Sequence, residues 1–251
     1  MSYLFVSFNI RVNTMFDGKQ AFDKRVPYIL DKIKKEKPDL IAFQELTDEM
    51  LKKLSPLFVD YDVVGHGRNK DLSGESVRIF YLRSEFFLLQ TKTFWLSRQP
   101  LKPGSRFKKD QSRLPRITTY AKFRLKNNKV IAVFNTHYDH EGKDSRFKAS
   151  QLMLKKINEF NKGDKLPLIM MGDLNALKDA IEIKIISNKL NDLSKNIAGT
   201  FHNFGKLKSP AKIDYIFGNS KIKVLQTGIW DDLTNDIYLS DHYPIYVLFT
   251  I

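Results

Sequence analysis

The feature of this sequence that most constrains its fold is a series of about ten short apolar runs spread along the chain. Most of them are about four to eight residues long and carry Val, Ile, Phe or Tyr, which is typical of β-strands. One doubly wound sheet does not accommodate so many strands, so we expect two sheets packed against each other. The runs are Leu4–Phe8, Leu40–Phe43, Val77–Leu82, Phe86–Phe94, Ile117–Leu125, Val130–Phe134, Leu166–Met171, Ile213–Phe217, Val224–Ile229 and Pro244–Phe249.

Helical periodicity is confined to a few segments. Apolar residues recur at helical spacing from Phe22 to Ile33, and we expect this helix to begin near Pro27. The other predicted helices run from Asp144 or Ser145 to about Phe160, over Thr47–Leu54 and over Lys178–Asn188. A length of 251 residues fits one large domain or two small ones. Since no linker or repeat interrupts the pattern, we predict a single domain over residues 1–251.

The composition excludes several classes of protein. The chain has no cysteine, so it cannot form disulfides, a cysteine-ligated zinc site or a thiol nucleophile. It contains no apolar run near the ~20 residues that a membrane helix requires, and no secretion signal, so we expect a cytoplasmic protein without an integral membrane segment. No obligate protein partner is evident. The net charge of +14 favours an anionic partner, although lysines spread along the chain are equally typical of a solvated surface.

One segment does concentrate positive charge. Residues 97–116 include three prolines, one glycine and seven Lys or Arg residues, which predicts a long basic loop. Because long loops in compact domains are often functional, we favour a function for it over a solvated crossover.

Short polar motifs stand at the ends of the apolar runs. If the first group of strands runs one way and the last two run antiparallel to it, the carboxyl ends of the former meet the amino ends of the latter at one edge. We therefore expect one cluster that comprises Asn9, Glu45, His137, Asp173, Asn175, Asp214, Asp241 and His242. Asp173 and Asn175 are two residues apart, so in extended backbone they point the same way.

Clustered carboxylates repel each other, so a fold gathers them for a cation or a catalytic task. Carboxylate and amide oxygens suit hard cations such as Mg²⁺ or Mn²⁺. Histidines near acidic residues suit proton transfer or contact with phosphate. Together with the basic loop, this set of side chains indicates hydrolysis of a phosphoester.

The motifs SFN, FQE, NTH, GDLN, IDYIF and SDHYP, in this order, resemble the endonuclease/exonuclease/phosphatase superfamily. Its members include DNase I-like nucleases, abasic-site endonucleases, deadenylases, inositol polyphosphate phosphatases and sphingomyelinases. The stretches TFWLS, LPRITTYA and THYDHEG further resemble a bacterial branch of it. The resemblance implies an α/β (α+β) fold, a four-layer sandwich in which two mixed β-sheets pack face to face with helices on the outer sides. It also implies Mg²⁺- or Mn²⁺-dependent hydrolysis of a phosphodiester by in-line attack of water, with nucleic acid as one candidate substrate.

The resemblance also implies a role for each residue. Glu45 matches the principal metal ligand, Asn9 lies beside it, and Asp241 supports the metal. Asp173 matches the carboxylate that orients or deprotonates the attacking water. The remaining matches are Asn175 for holding phosphate or a second metal, His242 for contacting the scissile phosphate or acting as base, Asp214 for orienting a histidine, His137 for protonating the leaving oxygen, and Glu75 for pairing with His137.

Three further residues are candidates for substrate binding. Arg116 suits phosphate through its fork of N–H groups, and the alternative is a charge at a strand edge. Asp139 and His140 fit the THYDH stretch of the bacterial branch, and the alternative is a turn before a helix.

Other functions compete with this interpretation. The sequence His137-Tyr-Asp139-His140 resembles part of a metallo-β-lactamase zinc motif, but Asn135 stands where its first histidine is required. A basic nucleic-acid-binding module without catalysis is a second alternative, although no known RNA-binding motif supports it. Within the enzyme interpretation, the substrate is either a nucleic acid or the phosphate of a small molecule or lipid headgroup.

Overall fold

Two six-stranded sheets form the centre of the molecule. The structure, a computed structural model, describes residues 1–161 and 165–251. Its strands are β1 (Tyr3–Asn9), β2 (Leu40–Leu46), β3 (Tyr61–Val64), β4 (Ser76–Leu82), β5 (Phe86–Trp95), β6 (Ile117–Leu125), β7 (Val130–His137), β8 (Leu168–Asp173), β9 (Asn191–Asp192), β10 (Asp214–Gly218), β11 (Lys223–Ile229), β12 (Leu233–Thr234), β13 (Ile237–Tyr238) and β14 (Ile245–Thr250). Its helices are α1 (Phe22–Glu36), α2 (Asp48–Lys53), α3 (Lys143–Asn161) and α4 (Ile181–Ser187), with two 3₁₀ helices at Met15–Gln20 and Ser55–Val59.

The two sheets share one arrangement of strands. The first has the spatial order β11-β14-β1-β2-β4-β3 and the second β5-β6-β7-β8-β10-β9. Each contains one parallel pair, β1 with β2 and β7 with β8, between antiparallel neighbours. A parallel pair requires a crossover, and α1 and α3 provide the two crossovers. Strands β10 and β14 run antiparallel to their neighbours β8 and β1. This is the arrangement under which the polar motifs were expected to meet at one edge.

Both faces of the central strands are buried, which explains why their sequences are continuously apolar. In β1, Phe5 packs between the two sheets, whereas Phe8 faces the other way and packs with Ile29 of α1. On the outer face of the second sheet, Phe134 packs with Met153 of α3. The layers are therefore helix, sheet, sheet and helix, which confirms the predicted four-layer sandwich.

The helices begin at positions other than those predicted. Helix α2 begins just after Thr47, which caps it, and α4 begins at Ile181 and not at Lys178. Helix α1 begins at Phe22 and not near Pro27, which lies inside it; the proline removes one hydrogen bond to the carbonyl of Asp23. Helix α3 begins at Lys143, one residue before the earlier predicted start. Its first N–H groups are bonded by the carboxylate of Asp110, which accepts from Asp144 N at 2.7 Å. Among the described residues, no helix is both long enough and apolar enough to cross a bilayer.

Candidate active site

A cleft of about 380 Å³ opens at the edge where the ends of both parallel pairs meet. Most residues predicted for the site line it, namely Glu45, Glu75, Arg116, His137, His140, Asp173, Asn175, Asp241 and His242. Asn9, Asp139 and Asp214 lie behind this lining, where each side chain contacts a residue of the cleft. The structure therefore brings together the cluster that was predicted from strand ends.

The first sheet supplies Asn9 and Glu45, together with Asp241 just before β14. The Asn9 amide donates to Glu45 Oε1 and to Asp173 Oδ2, both at 3.0 Å, and so links the two sheets. Val12 N donates to Glu45 Oε2 at 2.8 Å. Burial raises the pKa of Glu45, but the Val12 N–H, the charge of His242 and the Asn9 amide outweigh burial and lower it. Glu45 is therefore anionic at neutral pH.

Glu45 reaches the cleft because the backbone departs from regular strand geometry there. The pairing of β2 with β4 shifts register between Phe43 and Leu46, and Glu45 has a φ of 63°. Such a bulge redirects a side chain that would otherwise lie against a sheet face. Glu45 thus belongs to β2 and not to the first turn of the following helix, which begins at Asp48.

His242 lies among carboxylates and is held in its charged form. Its Nδ1 donates to Asp214 Oδ2 at 2.8 Å, and its Nε2 lies 3.9 Å from Asp173 Oδ2. Burial disfavours the imidazolium, but the charge and hydrogen bond of Asp214, together with Asp241 and Asp173, raise the pKa of His242 to about 10. A permanent cation therefore faces the cleft.

His137 has the opposite surroundings. Its Nε2 accepts from Arg116 Nη1 and lies close to Asn175 Nδ2, each at 3.1 Å. Burial, followed by the charges of Arg116, Arg68 and His242, lowers the pKa of His137 well below 6.5. In the protein without substrate, this histidine is neutral and its Nε2 is a hydrogen-bond acceptor.

Asp173 and Asn175 both reach the cleft, but the backbone between them forms a turn. We had expected extended backbone there. Asn175 has a φ of 48°, its N–H donates to Asp173 Oδ1 at 2.9 Å, and its amide contacts His137. Before them, Gly172 is required because a Cβ there would lie 1.9 Å from Thr136 O of the neighbouring strand. Burial and then the charge of Asp214 raise the pKa of Asp173 to about 7, against the effect of His242.

Glu75 differs from the expected pairing. Its Oε1 accepts from Arg68 Nη2 at 2.6 Å, and its carboxylate lies within 4.8 Å of ligand atoms of Glu45 and His137 without a direct hydrogen bond to the histidine. Burial and the charge of Glu45 raise the pKa of Glu75. Its predicted catalytic role stays a prediction.

The three candidates for substrate binding occupy different positions. Arg116 is buried under the cleft wall, and it donates to His137 and, at 2.8 Å, to His140 Nδ1. His140 is exposed at the rim. Asp139 is buried, contacts Arg116 Nε at 3.6 Å, and accepts from Ser112 N and Gly142 N. Asp139 therefore fixes a turn and does not line the cleft, whereas Arg116 and His140 do.

The basic loop of residues 97–116 forms part of this wall at its C-terminal end, where Leu114 and Arg116 line the cleft. Its central part is fixed from below, because Asp110 bonds the start of α3 and Ser112 bonds Asp139. The function predicted for this loop stays a prediction, but Leu114 and Arg116 lie where they could contact a molecule in the cleft.

The residues present fit a hard divalent cation. Among the described residues, two groups have ligand atoms within 4.8 Å of one another, Glu45–Glu75–His137 and Asp173–Asp214–His242, and in the second group the protonated His242 would not itself be a ligand. The donors are mostly carboxylate oxygens, which Mg²⁺ and Mn²⁺ prefer. The mutual repulsion of these carboxylates contributes to the raised pKa values of Asp173, Glu75 and Asp241, and a bound cation would relieve it.

Sequence reasoning missed several residues in or beneath the cleft lining. Arg11 lines the cleft, forms two 3.2 Å bonds to Asp17 and lies 3.7 Å from Asp241 Oδ2. Phe201 lines it and packs its ring 4.9 Å from that of His242. Arg68 lies beneath the cleft lining and donates to Glu75 Oε1. Arg11 directly follows the SFNI stretch, which was a usable signal, whereas nothing local distinguishes Phe201 or Arg68.

Comparison with known proteins agrees with this geometry. The model of the Endonuclease/Exonuclease/phosphatase family matches residues 6–242. The chain belongs to this family. Members of the endonuclease/exonuclease/phosphatase family are hydrolases that act on phosphoester bonds, and the matched residues span the site from β1 to the Asp241–His242 pair.

Several relatives resemble the chain over its full length. A family member of known structure from Bacteroides vulgatus is 27% identical, with a TM-score of 0.92 and coverage of 100% of this chain and 99% of that one. The mannosyl-6-phosphatase Bt3783 of Bacteroides thetaiotaomicron is also 27% identical, with a TM-score of 0.92 and coverage of 99% and 100%. Protein L388 of Acanthamoeba polyphaga mimivirus is 24% identical, over 94% of this chain and 95% of its own length. Close similarity to structures of the endonuclease/exonuclease/phosphatase family thus extends through every layer of the sandwich.

Proposed function

We propose that this protein is a hydrolase that cleaves a phosphoester with the help of Mg²⁺ or Mn²⁺. The observation that carries the proposal is the cleft in which Glu45, Asp241, Asp173, His137 and His242 converge from both sheets. Their opposite charges and different protonation states suit separate tasks in one reaction.

Glu45 and Asp241, with Asn9 beside them, are the residues that would hold the cation. Glu45 is anionic and already oriented by Val12 N and the Asn9 amide. When bound, a divalent cation neutralises charge on the phosphate and on the departing oxygen.

Asp173 is placed to orient and deprotonate the attacking water. With a pKa of about 7, it is a better base than an ordinary aspartate and is partly ionised at neutral pH. Asn9 and Asn175 fix its two oxygens, at 3.0 and 2.9 Å. The cationic His242, which Asp214 orients, attracts the scissile phosphate from the other side.

His137 is the candidate donor of a proton to the leaving oxygen. Because Arg116 and the buried setting keep it neutral, its Nε2 must first be protonated. The negative charge of a phosphate in the cleft would raise its pKa and make that protonation possible. Arg116 Nη1, now bonded to His137, would then be free to bind the phosphate.

A phosphodiester is the first candidate substrate, and nucleic acid is one form of it. The net charge of +14 and the basic segment at residues 97–116 support a polyanion.

A phosphomonoester of a small molecule is the second candidate. The similarity to mannosyl-6-phosphatase Bt3783 over nearly the whole of both chains favours a sugar phosphate within this class. A lipid headgroup phosphate belongs to the same class of compact substrates.

The test is hydrolysis by the purified chain, with Mg²⁺ or Mn²⁺, of single-stranded DNA, duplex DNA, RNA, a chromogenic phosphodiester and a hexose phosphate. We expect activity that EDTA abolishes and that Asp173→Asn lowers by about a thousandfold. Cleavage of nucleic acid identifies a nuclease, and cleavage of the hexose phosphate alone identifies a phosphatase. No hydrolysis of any compound by folded protein would contradict the proposal and favour the binding-module alternative.

Glu45→Gln tests the cation site separately. The variant should bind Mn²⁺ at least about tenfold more weakly in calorimetry, because a charged ligand is lost. An unchanged affinity would show that the cation binds elsewhere.

A further inference from the structure

Arg25 is a completely buried cation whose hydrogen bonds go only to backbone carbonyls. It lies in the second turn of α1, and its side chain is 0% exposed. The Nε donates to Gln20 O at 2.8 Å, Nη1 to Ile10 O at 2.6 Å and to Leu239 O at 2.8 Å, and Nη2 to Arg11 O at 2.9 Å. Burying an ion is unfavourable, so four carbonyl partners from three segments call for an explanation.

The first of these segments supports Glu45. Ile10 and Arg11 follow directly on Asn9, and Arg11 has a left-handed backbone with a φ of 58°. This conformation is unfavourable for a residue with a side chain. The bonds from Arg25 to both carbonyls stabilise it, and the next N–H, that of Val12, donates to Glu45 Oε2 at 2.8 Å.

The second segment carries Asp241. Leu239, whose carbonyl is bonded by Arg25, is followed by Ser240 and then by Asp241. Ser240 Oγ donates to Asn9 O at 2.6 Å, so the chain around residue 240 is joined to the end of β1 at two points. One guanidinium therefore joins Ile10 and Leu239, which lie more than two hundred residues apart. The first segment orients Glu45 through Val12 N, and the second contains Asp241.

We propose that Arg25 is a positioning residue for the divalent cation, because it fixes the Ile10–Val12 turn and Leu239 so that Glu45 and Asp241 face the same ion. A guanidinium is the only side chain with enough N–H groups in one plane to bond carbonyls on several sides. This inference rests on the proposed function, since it takes Glu45 and Asp241 as the cation ligands.

The test is Mn²⁺ binding to the metal-free full chain, measured by calorimetry or by the electron paramagnetic resonance of free Mn²⁺. Arg25→Met should raise the Kd for Mn²⁺ by about ten- to a hundredfold, the usual effect of removing a group that orients metal ligands. Arg25→Lys, which keeps the charge but fewer donors, should fall between Arg25→Met and the unmodified protein. In turnover, the Mn²⁺ concentration needed for half-maximal rate should rise more than kcat falls.

Ile33→Ala is the matched control, because Ile33 lies two turns further along α1 and is also buried. It should lower the melting temperature yet leave the Kd for Mn²⁺ unchanged. If Arg25→Met does not fold, Arg25→Lys decides the question. A double variant adds a check: since Arg25 acts partly through Glu45, Arg25→Lys should weaken binding by a smaller factor in a Glu45→Gln background than in the unmodified protein.

The outcomes separate the two proposals. If the unmodified protein binds Mn²⁺ and folded Arg25 variants bind it equally well, or if Ile33→Ala weakens binding as much as they do, the role of Arg25 is refuted and the cation site stands. If the unmodified protein binds no Mn²⁺, the cation site is refuted and the role of Arg25 with it.

Discussion

The two histidines of the cleft have the same chemistry and almost the same burial, but the protein gives them opposite charges. His242 is 5% exposed and bonded to Asp214, with Asp241 and Asp173 nearby, and its pKa is raised to about 10. His137 is 6% exposed and bonded to Arg116, and its pKa is lowered well below 6.5.

The difference shows that neighbouring charge decides which of two equally buried rings is protonated. Burial disfavours the charged form of both rings. The charge and hydrogen bond of Asp214 overcome this effect at His242, whereas the charge of Arg116 adds to it at His137, although Asp173 Oδ2 lies 3.4 Å from His137 Nε2. One cleft therefore contains a cationic ring and a neutral ring, and the proposed function assigns the first to attracting phosphate and the second to proton transfer. The following predictions test this contrast, from the largest effect to the smallest.

His242→Gln should have the largest effect. We expect kcat to fall by about a thousandfold, since a permanent charge at the reacting phosphate is lost. His137→Gln should cost about ten- to a hundredfold, because an amide can still bond to Arg116. Steady-state kinetics at saturating Mn²⁺ checks both, with thermal unfolding to show that the variants are folded. Equal losses would contradict the division of roles.

Asp214→Asn should lower the pKa of His242 towards the value of an ordinary histidine. Without the adjacent carboxylate, its pKa should fall from about 10 to below 8, and kcat should fall by about a hundredfold. NMR titration of the histidine ring carbons in EDTA measures the first change directly. A ring that still stays charged above pH 8 would mean that Asp241 and Asp173 alone hold the proton.

The stability of the metal-free protein should depend on pH in opposite ways through the two rings. A pKa raised from 6.5 to about 10 makes His242 stabilising below pH 6.5, and this contribution is lost as pH rises to 10. The lowered pKa of His137 has the reverse effect, since stability is lost as pH falls below 6.5.

Urea unfolding in EDTA tests this prediction. Between pH 6.5 and 10, the free energy of unfolding of the unmodified protein should fall more steeply than that of Asp214→Asn. Parallel curves for the two proteins would show that Asp214 does not raise the pKa of His242.

Asp110→Ala should have the smallest effect. It removes the carboxylate that caps α3 and fixes the basic segment ending at Arg116, the partner of His137. We expect a loss of about 1 kcal/mol in the free energy of unfolding, typical of a lost helix cap, and a change in kcat below about twofold. Lys109→Ala is a control from the same loop, because the contacts between Asp110 and α3 do not involve the Lys109 side chain. A large loss of kcat would mean that the loop itself takes part in the reaction.

The sequence predicted most of the sandwich because its central strands are buried on both faces. Ile117–Leu125 was predicted with the observed bounds, whereas β3 and the two-residue strands carry too few apolar residues to be recognised. The start of α1 was wrong because a proline is tolerated inside a helix when surrounding packing compensates for one lost bond. The start of α3 was missed because its cap, Asp110, lies more than thirty residues earlier.

The composition of the site was predictable, but its connections were not. Strand ends sufficed to group Glu45, Asp173 and His242 at one edge. The bulge that turns Glu45 into the cleft and the left-handed turn at Asn175 leave no mark on a pattern of apolar and polar residues. Likewise, nothing in the sequence marks Arg25, since its partners are backbone carbonyls, which every residue carries.

The position of β14 has a consequence for how the protein is made. This strand, although last along the chain, lies inside the first sheet, between β1 and β11. During synthesis, one edge of β1 therefore stays unpaired until β14 emerges more than two hundred residues later. Contacts so distant in sequence form slowly. Asp241 and His242 arrive with that partner. Until β14 closes the sheet, a nascent chain therefore lacks Asp241 and His242 at the cleft, and under the proposed function an incomplete product of translation would be inactive.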